Sequence, residues 1–111
     1  MKVAVIGSRG LNVEDFSRYL PYGIDEIVSG GARGIDSCIS EYCKRQGIRI
    51  KEILPDYEKY GRSAPLKRNI EIIESVDLVL AFWDGQSRGT KFVIDNCKKM
   101  RVPIKVFLSG E

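Results

Sequence analysis

Apolar residues along the chain fall into short runs separated by stretches with helical periodicity. Residues 2–6 and 78–82 are almost continuously apolar, as expected for parallel strands that are covered on both faces. Residues 48–53 alternate apolar with charged positions, which predicts a half-exposed edge strand. Residues 26–28 and 104–108 are the other two apolar runs. The pattern therefore predicts five strands.

Between these runs the apolar positions repeat at the spacing of amphipathic helices. A first helix is predicted over Val13, Phe16 and Leu20 and is ended by Pro21, whereas residues 56–63 are predicted to be a polar loop. Three further helices are predicted over Ile35, Cys38, Ile39, Tyr42 and Cys43, stopped at Gly47; over Leu66, Ile70 and Ile73, with Pro65 in the first turn; and over Val93, Cys97 and Met100.

Strands that alternate with helices imply right-handed crossovers and a parallel sheet. We therefore predict an α/β fold, a Rossmann-like doubly wound three-layer sandwich, formed as one domain by residues 1–111. Since the most apolar strands belong at the centre, the predicted order of the five parallel strands is 3-2-1-4-5. The reversal of strand order between the first and fourth strands is where such sheets bind ligands.

The amino-acid composition limits the catalytic groups, metal sites and ligands that the protein can have. The chain has no histidine, which removes imidazole bases, histidine metal sites and the Ser/His/Asp and Cys/His nucleophiles. Its three cysteines lack CxxC spacing, so we expect reduced core thiols and no metal ion. No leader-like or membrane-spanning apolar run is present, which favours a cytoplasmic protein without a membrane partner. The net charge of +3 favours an anionic ligand.

Three loops at the predicted carboxyl edge combine glycine with hydroxyl or arginine side chains. Backbone N–H groups and arginines in such loops bind phosphates. The alternative for the glycines is that they only permit tight turns. The alternative for Arg33 is that it is a surface residue or pairs with Asp36. The residues concerned are Gly7, Ser8 and Arg9 in the first loop; Ser29, Gly30, Gly31, Arg33 and Gly34 in the second; and Gly85, Ser87, Arg88, Gly89 and Thr90 in the third.

The familiar nucleotide fingerprints are absent from these loops. The first loop lacks GxGxxG, and the second strand ends in Ser29 where dinucleotide-binding folds carry an acidic residue for the ribose. There is also no GxxxxGK followed by Ser or Thr. A nicotinamide cofactor and an ATPase-type phosphate loop are therefore not expected, and no other cofactor is predicted.

Four motifs together resemble the Smf/DNA-processing protein A and Lonely Guy superfamily, called SLOG, and most closely its small stand-alone YspA-type members. They are GSR at residues 7–9, SGGARGID at 29–36, GRSAPLKRN at 61–69 and AFWDGQSRGT at 81–90. The resemblance covers nearly the whole chain. It implies a Rossmann-like domain that binds a nucleotide or a nucleotide derivative.

The resemblance adds site residues to those of the loops. It implies that Arg68 and Asn69 line the site, although a solvated helix surface is the alternative for both. It also implies that Asp36 bonds its own loop or a ribose hydroxyl. Trp83 and Tyr60 are candidates for stacking on a base, with packing against the last helix as the alternative for Trp83.

Three functions stay open at this stage. The first is a sensor or ligand-binding module for a nucleotide-derived molecule, which needs only the loop groups. The second is hydrolysis of a nucleotide N-glycosidic bond, which needs a carboxylate; the candidates are Asp36, Asp84 and Asp95. The Lonely Guy motif PGGxGTxxE is matched at Gly89 and Thr90, but Val93 replaces its glutamate, and Asp84 is the best substitute by position. The third is single-stranded DNA binding, for which +3 is thin support. A homo-oligomer that covers part of the crevice is also predicted.

Overall fold

Five parallel strands form the single sheet of the computed structural model, which describes residues 1–108. The strands are β1 (Lys2–Gly7), β2 (Glu26–Ser29), β3 (Ile50–Glu52), β4 (Leu78–Trp83) and β5 (Ile104–Leu108). Their order is β3-β2-β1-β4-β5, as predicted from the apolar pattern. In the register of the central strands, Val3 of β1 lies opposite Ile27 of β2 and Leu78 of β4.

Three helices of more than two turns and one short helix connect these strands. Helix α1 ends at Gly47, which adopts the left-handed conformation (φ 69°) typical of a C-terminal glycine cap. Pro65 lies in the first turn of α3, as predicted, where its missing N–H is not needed. The helices are α1 (Ile35–Gln46), α2 (Tyr57–Tyr60), α3 (Ala64–Glu74) and α4 (Arg88–Met100).

The two faces of the sheet carry separate apolar cores. Alternation along β1 sends Val3 and Val5 to the face covered by α1, and Ala4 and Ile6 to the face covered by α3 and α4. Because β1 and β4 are buried on both faces, their sequences are continuously apolar. The three layers confirm the predicted Rossmann-like architecture.

The helix predicted over Val13, Phe16 and Leu20 is wrong, because residues 11–25 contain turns and no helix. Asp15 Oδ1 accepts a hydrogen bond from the Ser17 N–H, a local bond that competes with helix formation. Only Phe16 of the predicted apolar stripe is fully buried, and its ring packs edge-on against Tyr42 and Phe82. The segment covers the sheet through this buried ring rather than through a helical face.

Two further predictions on the connection to α3 need correction. The predicted loop over residues 56–63 contains α2 and a 3₁₀ turn, Gly61–Ser63, and Asp56 caps α2 by accepting from the Lys59 N–H. The buried face of α3 is formed by Ala64, Ile72 and Ile73, whereas Leu66 is 43% exposed. Of the predicted stripe, Ile73 is buried as predicted, whereas Ile70 is only partly buried and Leu66 is exposed.

The three cysteines are free thiols. Burial raises the pKa of both Cys43 and Cys97 to about 11, so these thiols stay protonated and unreactive. Cys38 is half-buried and donates from Sγ to Asn12 Oδ1. Within residues 1–108, no helix has the length and apolar character to cross a bilayer, and no three His, Cys, Asp or Glu side chains are grouped as metal ligands would be.

Candidate functional site

A cleft of about 370 Å³ opens at the carboxyl edge of the sheet, where the strand order reverses between β1 and β4. Its walls come from the end of β1 and the loop after it, the β2–α1 loop with the start of α1, helix α3, and the β4–α4 loop with the start of α4. The lining residues are Ile6, Gly7, Arg9, Gly10, Gly30, Ala32, Asp36, Pro65, Leu66, Arg68, Asn69, Ile72, Asp84, Ser87, Gly89, Thr90 and Val93.

The structure brings together residues from all three predicted loops and from α3. The predicted site residues that line the cleft are Gly7, Arg9, Gly30, Asp36, Arg68, Asn69, Ser87, Gly89, Thr90 and the candidate carboxylate Asp84. Those that lie outside its lining are Ser8, Ser29, Gly31, Arg33, Gly34, Tyr60, Trp83, Gly85 and Arg88. What either group binds stays a prediction.

Arg68 connects α3 to the β2–α1 loop. Its Nη1 donates to the Gly30 carbonyl at 2.6 Å and, at 3.4 Å, to the Ile53 carbonyl, while its Nε donates to Asn69 Oδ1. Partial burial is the main cause that lowers the pKa of Arg68, and the negative charge of Asp36 opposes it. Its Nη2 group has no hydrogen-bond partner in residues 1–108.

Asp36 lies in the first turn of α1 and is only 7% exposed. Its Oδ2 accepts from the Ala32 N–H, but its Oδ1 has no hydrogen-bond partner in the described chain. Burial raises the pKa of this carboxyl above its ordinary value, and the negative charge of Glu52 adds to that effect, although the Ala32 N–H and Arg68 oppose it. The carboxylate therefore has unused capacity to accept hydrogen bonds.

The N-terminus of α4 forms the opposite wall. Ser87 is the cap, and its side chain and carbonyl accept from the N–H groups of Thr90 and Lys91. The N–H groups of Arg88 and Gly89 have no acceptor within residues 1–108, and no acidic residue occupies the first turn. This helix end therefore presents free donors and the positive end of the helix dipole.

Ser8 and Asp84 join the loop after β1 to the β4–α4 loop. The buried Ser8 hydroxyl accepts from the Asp84 N–H at 3.1 Å. The Asp84 side chain is exposed, and its Oδ1 accepts from the N–H groups of Gln86 and Ser87, bonds that lower the pKa of this carboxyl. Asp84 is thus ionised at neutral pH and stabilises its own turn.

Gly34 packs the start of α1 against the loop after β1. Its φ of 68° belongs to the region that favours glycine, and a Cβ there would collide with the carbonyl groups of Ser8 and Arg9. This glycine therefore shapes the cleft without lining it.

Arg33 and Trp83 do not reach the cleft. Arg33 is exposed and has no hydrogen bond or ion pair within the described chain. Trp83 donates from Nε1 to the Ser87 carbonyl and packs against the core beneath α4, in agreement with the packing alternative. Ligand contacts by these two side chains remain predictions.

Sequence reasoning missed the apolar wall of the cleft, formed by Pro65, Leu66, Ile72 and Val93. Leu66 is predicted on the apolar face of its helix, because periodicity alone cannot separate a residue that packs in the core from one at the mouth of a cleft, whereas Val93 is buried on its helix face as predicted and also lines the cleft. The structure alone distinguishes them: Leu66, two residues before Arg68 in α3, is 43% exposed.

No protein-family model matches the chain, and neither curated proteins nor solved structures give a match. Membership of SLOG therefore stays a prediction based on four motifs.

Proposed function

We propose that the cleft binds a nucleotide or a nucleotide-derived ligand through its phosphate. One observation carries the proposal: the unpartnered N–H groups at the start of α4 share the cleft with Arg9 and Arg68. Arg9 is exposed and makes no hydrogen bond or ion pair in residues 1–108, so its guanidinium is free for an anion. Guanidinium groups next to a helix N-terminus form a phosphate site.

The rest of the cleft suits the remainder of such a ligand. A volume of about 370 Å³ lies within the range of small-molecule sites. Leu66, which is 43% exposed, supplies apolar surface for a base, while Asn69 and Asp36 supply polar groups for a sugar. The combination favours a nucleotide over inorganic phosphate.

The biological role that fits best is a sensor or ligand-binding module in the cytoplasm, with a small molecule as its partner. Binding requires only the groups named above. An oligomer that covers part of the exposed cleft is consistent with this role.

Native mass spectrometry of protein purified from cells tests the proposal directly. We expect a co-purifying adduct with the mass of a nucleotide derivative.

In nucleotide titrations, Arg9→Ala should weaken binding about tenfold or more, the range for a hydrogen bond to a charged group. Arg18→Ala is the matched control, since Arg18 is an exposed arginine that does not line the cleft. Equal losses in both variants, or no binding by the parent protein, would contradict the proposal.

Hydrolysis of an N-glycosidic bond is the second candidate, because Asp36 and Asp84 line one cleft. Two carboxyls with pKa values shifted in opposite directions are typical of acid and base pairs. However, Asp84 already accepts two loop N–H groups, and the apolar Val93 lines the cleft near the start of α4. We therefore expect no free base when nucleoside monophosphates are incubated with the protein and analysed by chromatography. Base release that Asp84→Asn abolishes would establish the enzyme.

A further inference from the structure

The two edges of the sheet differ in length and in the side chains that they expose. The β3 edge has three residues, and its exposed side chains are Lys51 and Glu52. The β5 edge has five residues, and its exposed side chains are Lys105, Val106 and Leu108. A short, charged edge strand resists pairing with another chain, whereas a longer one with exposed apolar residues promotes it. The β3 edge is therefore protected, and the β5 edge is not.

The backbone on the outer side of β5 can pair with another strand. On the inner side, the Val79 N–H of β4 donates to the Pro103 carbonyl. Because alternate residues of a parallel ladder bond to the same neighbour, Lys105 and Phe107 face β4, whereas the N–H and carbonyl of Val106 point away from it. Within residues 1–108, no strand pairs with this outer side.

Antiparallel pairing of β5 with β5 of a second copy fits these groups in one register. With a two-fold axis at Val106, this residue pairs with its own counterpart through two backbone hydrogen bonds. The same axis places Lys105 of each copy opposite Phe107 of the other. An axis at Lys105 would instead bring two ammonium groups together and would need backbone groups that already bond to β4. The backbone and the charges therefore both favour an axis at Val106.

Acidic side chains line the surface beside Phe107, where the second copy's lysine would lie. A groove of about 410 Å³ lies next to Phe107 on the α1 face of the sheet, and the exposed Glu14 and Asp15 line it. Arg18 also lines the groove, but its guanidinium lies over the ring of the next residue, 5.1 Å from the centroid. Because opposite residues in antiparallel strands share a face, Lys105 of the second copy would lie on the face that carries both carboxylates. Complementary charges of this kind fix the register of an interface.

We propose that the β5 edge is a dimerisation surface whose partner is a second copy of this chain, paired antiparallel about Val106. The two sheets join into one, and assembly stops at the dimer because the pairing occupies the β5 edge of both copies. Since the paired strands run in opposite directions, the two clefts lie at opposite ends of the joined sheet. This interface therefore differs from the cleft-covering oligomer predicted from the sequence, and it does not depend on a ligand.

Sedimentation velocity of the full chain over a dilution series tests the proposal. We expect an equilibrium between monomer and dimer, without larger species. Val106→Pro should raise the dimer dissociation constant about tenfold or more, because it removes both intermolecular hydrogen bonds at the axis. The proline leaves the bonds to β4 intact, since the Val106 N–H faces outwards. Val106→Thr keeps the N–H and the branched side chain, so this matched control should stay within about twofold of the parent protein.

Val106→Lys provides a second test that does not depend on proline being tolerated in the strand. The Val106 side chain is 38% exposed, so a lysine there can extend into solvent in the monomer. At the two-fold axis, however, two lysines would lie opposite each other. We expect the dimer dissociation constant to rise about threefold or more. Circular dichroism shows whether each variant is folded.

Cysteine crosslinking tests the register. At the axis the two Val106 Cα atoms would lie about 5.5 Å apart, which is within the range of a disulfide. Val106→Cys should therefore form a covalent dimer under mild oxidation. Lys51→Cys, which is exposed on the β3 edge, is the matched control and should stay monomeric. The parent protein gives the background from the half-buried Cys38.

Each contrary outcome overturns the proposal. Sedimentation as a monomer at every concentration excludes the dimer, and a dimer that survives in the folded Val106→Pro or Val106→Lys variant excludes the β5 edge. Species larger than a dimer exclude the closed two-fold pairing. Crosslinking of Lys51→Cys as fast as that of Val106→Cys excludes the register. Because none of these measurements involves a nucleotide, failure here leaves the proposed function intact.

Discussion

The β2–α1 loop and the first turns of α3 face the same cleft but contribute to it in opposite ways. The loop is conspicuous in the sequence, yet its arginine, Arg33, is exposed and lies outside the lining. The sequence of helix α3 has the pattern of an ordinary amphipathic helix, yet the helix supplies Arg68, Asn69 and Leu66 to the cleft. The loop glycines determine the shape of the space, and the helix provides the side chains that fill its wall.

The largest effect is expected from Gly34→Ala, which tests the shaping role of the loop. An alanine at φ 68° is strained, and its Cβ would collide with backbone carbonyls that cannot rotate away. We expect the free energy of unfolding to fall by about 3 kcal/mol or more. Urea denaturation measures it.

Gly47→Ala is the matched control for this change. Gly47 has nearly the same φ, 69°, but a Cβ there would meet nothing within 4 Å. Its cost should be only the left-handed strain, about 1 kcal/mol. Equal costs for the two variants would show that the close approach of Gly34 to the loop after β1 does not constrain the fold.

A direct test of the comparison is Arg68→Ala against Arg33→Ala. Loss of Arg68 leaves the Gly30 carbonyl without its donor, so we expect unfolding to become easier by about 1–3 kcal/mol, together with weaker phosphate binding. Arg33→Ala should change stability by less than about 0.5 kcal/mol. Thermal denaturation and phosphate titration measure the two quantities. A larger loss of binding in Arg33→Ala would show that the loop arginine turns into the cleft when the ligand binds.

The sequence predicts the backbone arrangement of this protein better than the directions of its side chains. The strand order follows from the continuous apolar character of β1 and β4, and the position of the cleft follows from the strand order. The direction of Arg33 could not be predicted, because a glycine-rich loop allows many backbone paths. The segment around Phe16 was mistaken for a helix because three apolar residues at helical spacing also suit a turn that buries one ring.

Asp36→Asn tests the charge in the first turn of α1. Because burial raises the pKa of Asp36 in the folded state, the native protein binds a proton more tightly than the unfolded chain does. Stability is therefore lost as pH rises from the ordinary carboxyl pKa through the raised folded value.

We expect Asp36→Asn to raise Tm at pH 7 by roughly 4 °C, the shift for about 1 kcal/mol in a domain of this size. The gain should vanish below about pH 4, where the wild-type carboxyl is protonated. A lower Tm for the variant at pH 7 would mean that the carboxylate is compensated by contacts beyond Ala32 and Arg68.

Asp84→Asn should show the smallest effect and the opposite sign. Two loop N–H groups lower the pKa of this exposed carboxyl, so its ionised form stabilises the fold above the ordinary carboxyl pKa, and that contribution is lost as pH falls through the lowered folded value. Asparagine keeps an oxygen for Gln86 and Ser87 but loses the charge that strengthens both bonds. We expect a slight decrease in Tm at pH 7 that disappears in acid.

Since Asp36→Asn and Asp84→Asn change the net charge equally, Tm shifts of opposite sign at pH 7 would have to come from the surroundings of the two carboxyls. Calorimetric scans across pH 3–7 measure the Tm of both variants. Tm shifts of the same sign would show that net charge governs the effect of both carboxyls on stability, rather than the burial of Asp36 and the loop hydrogen bonds to Asp84.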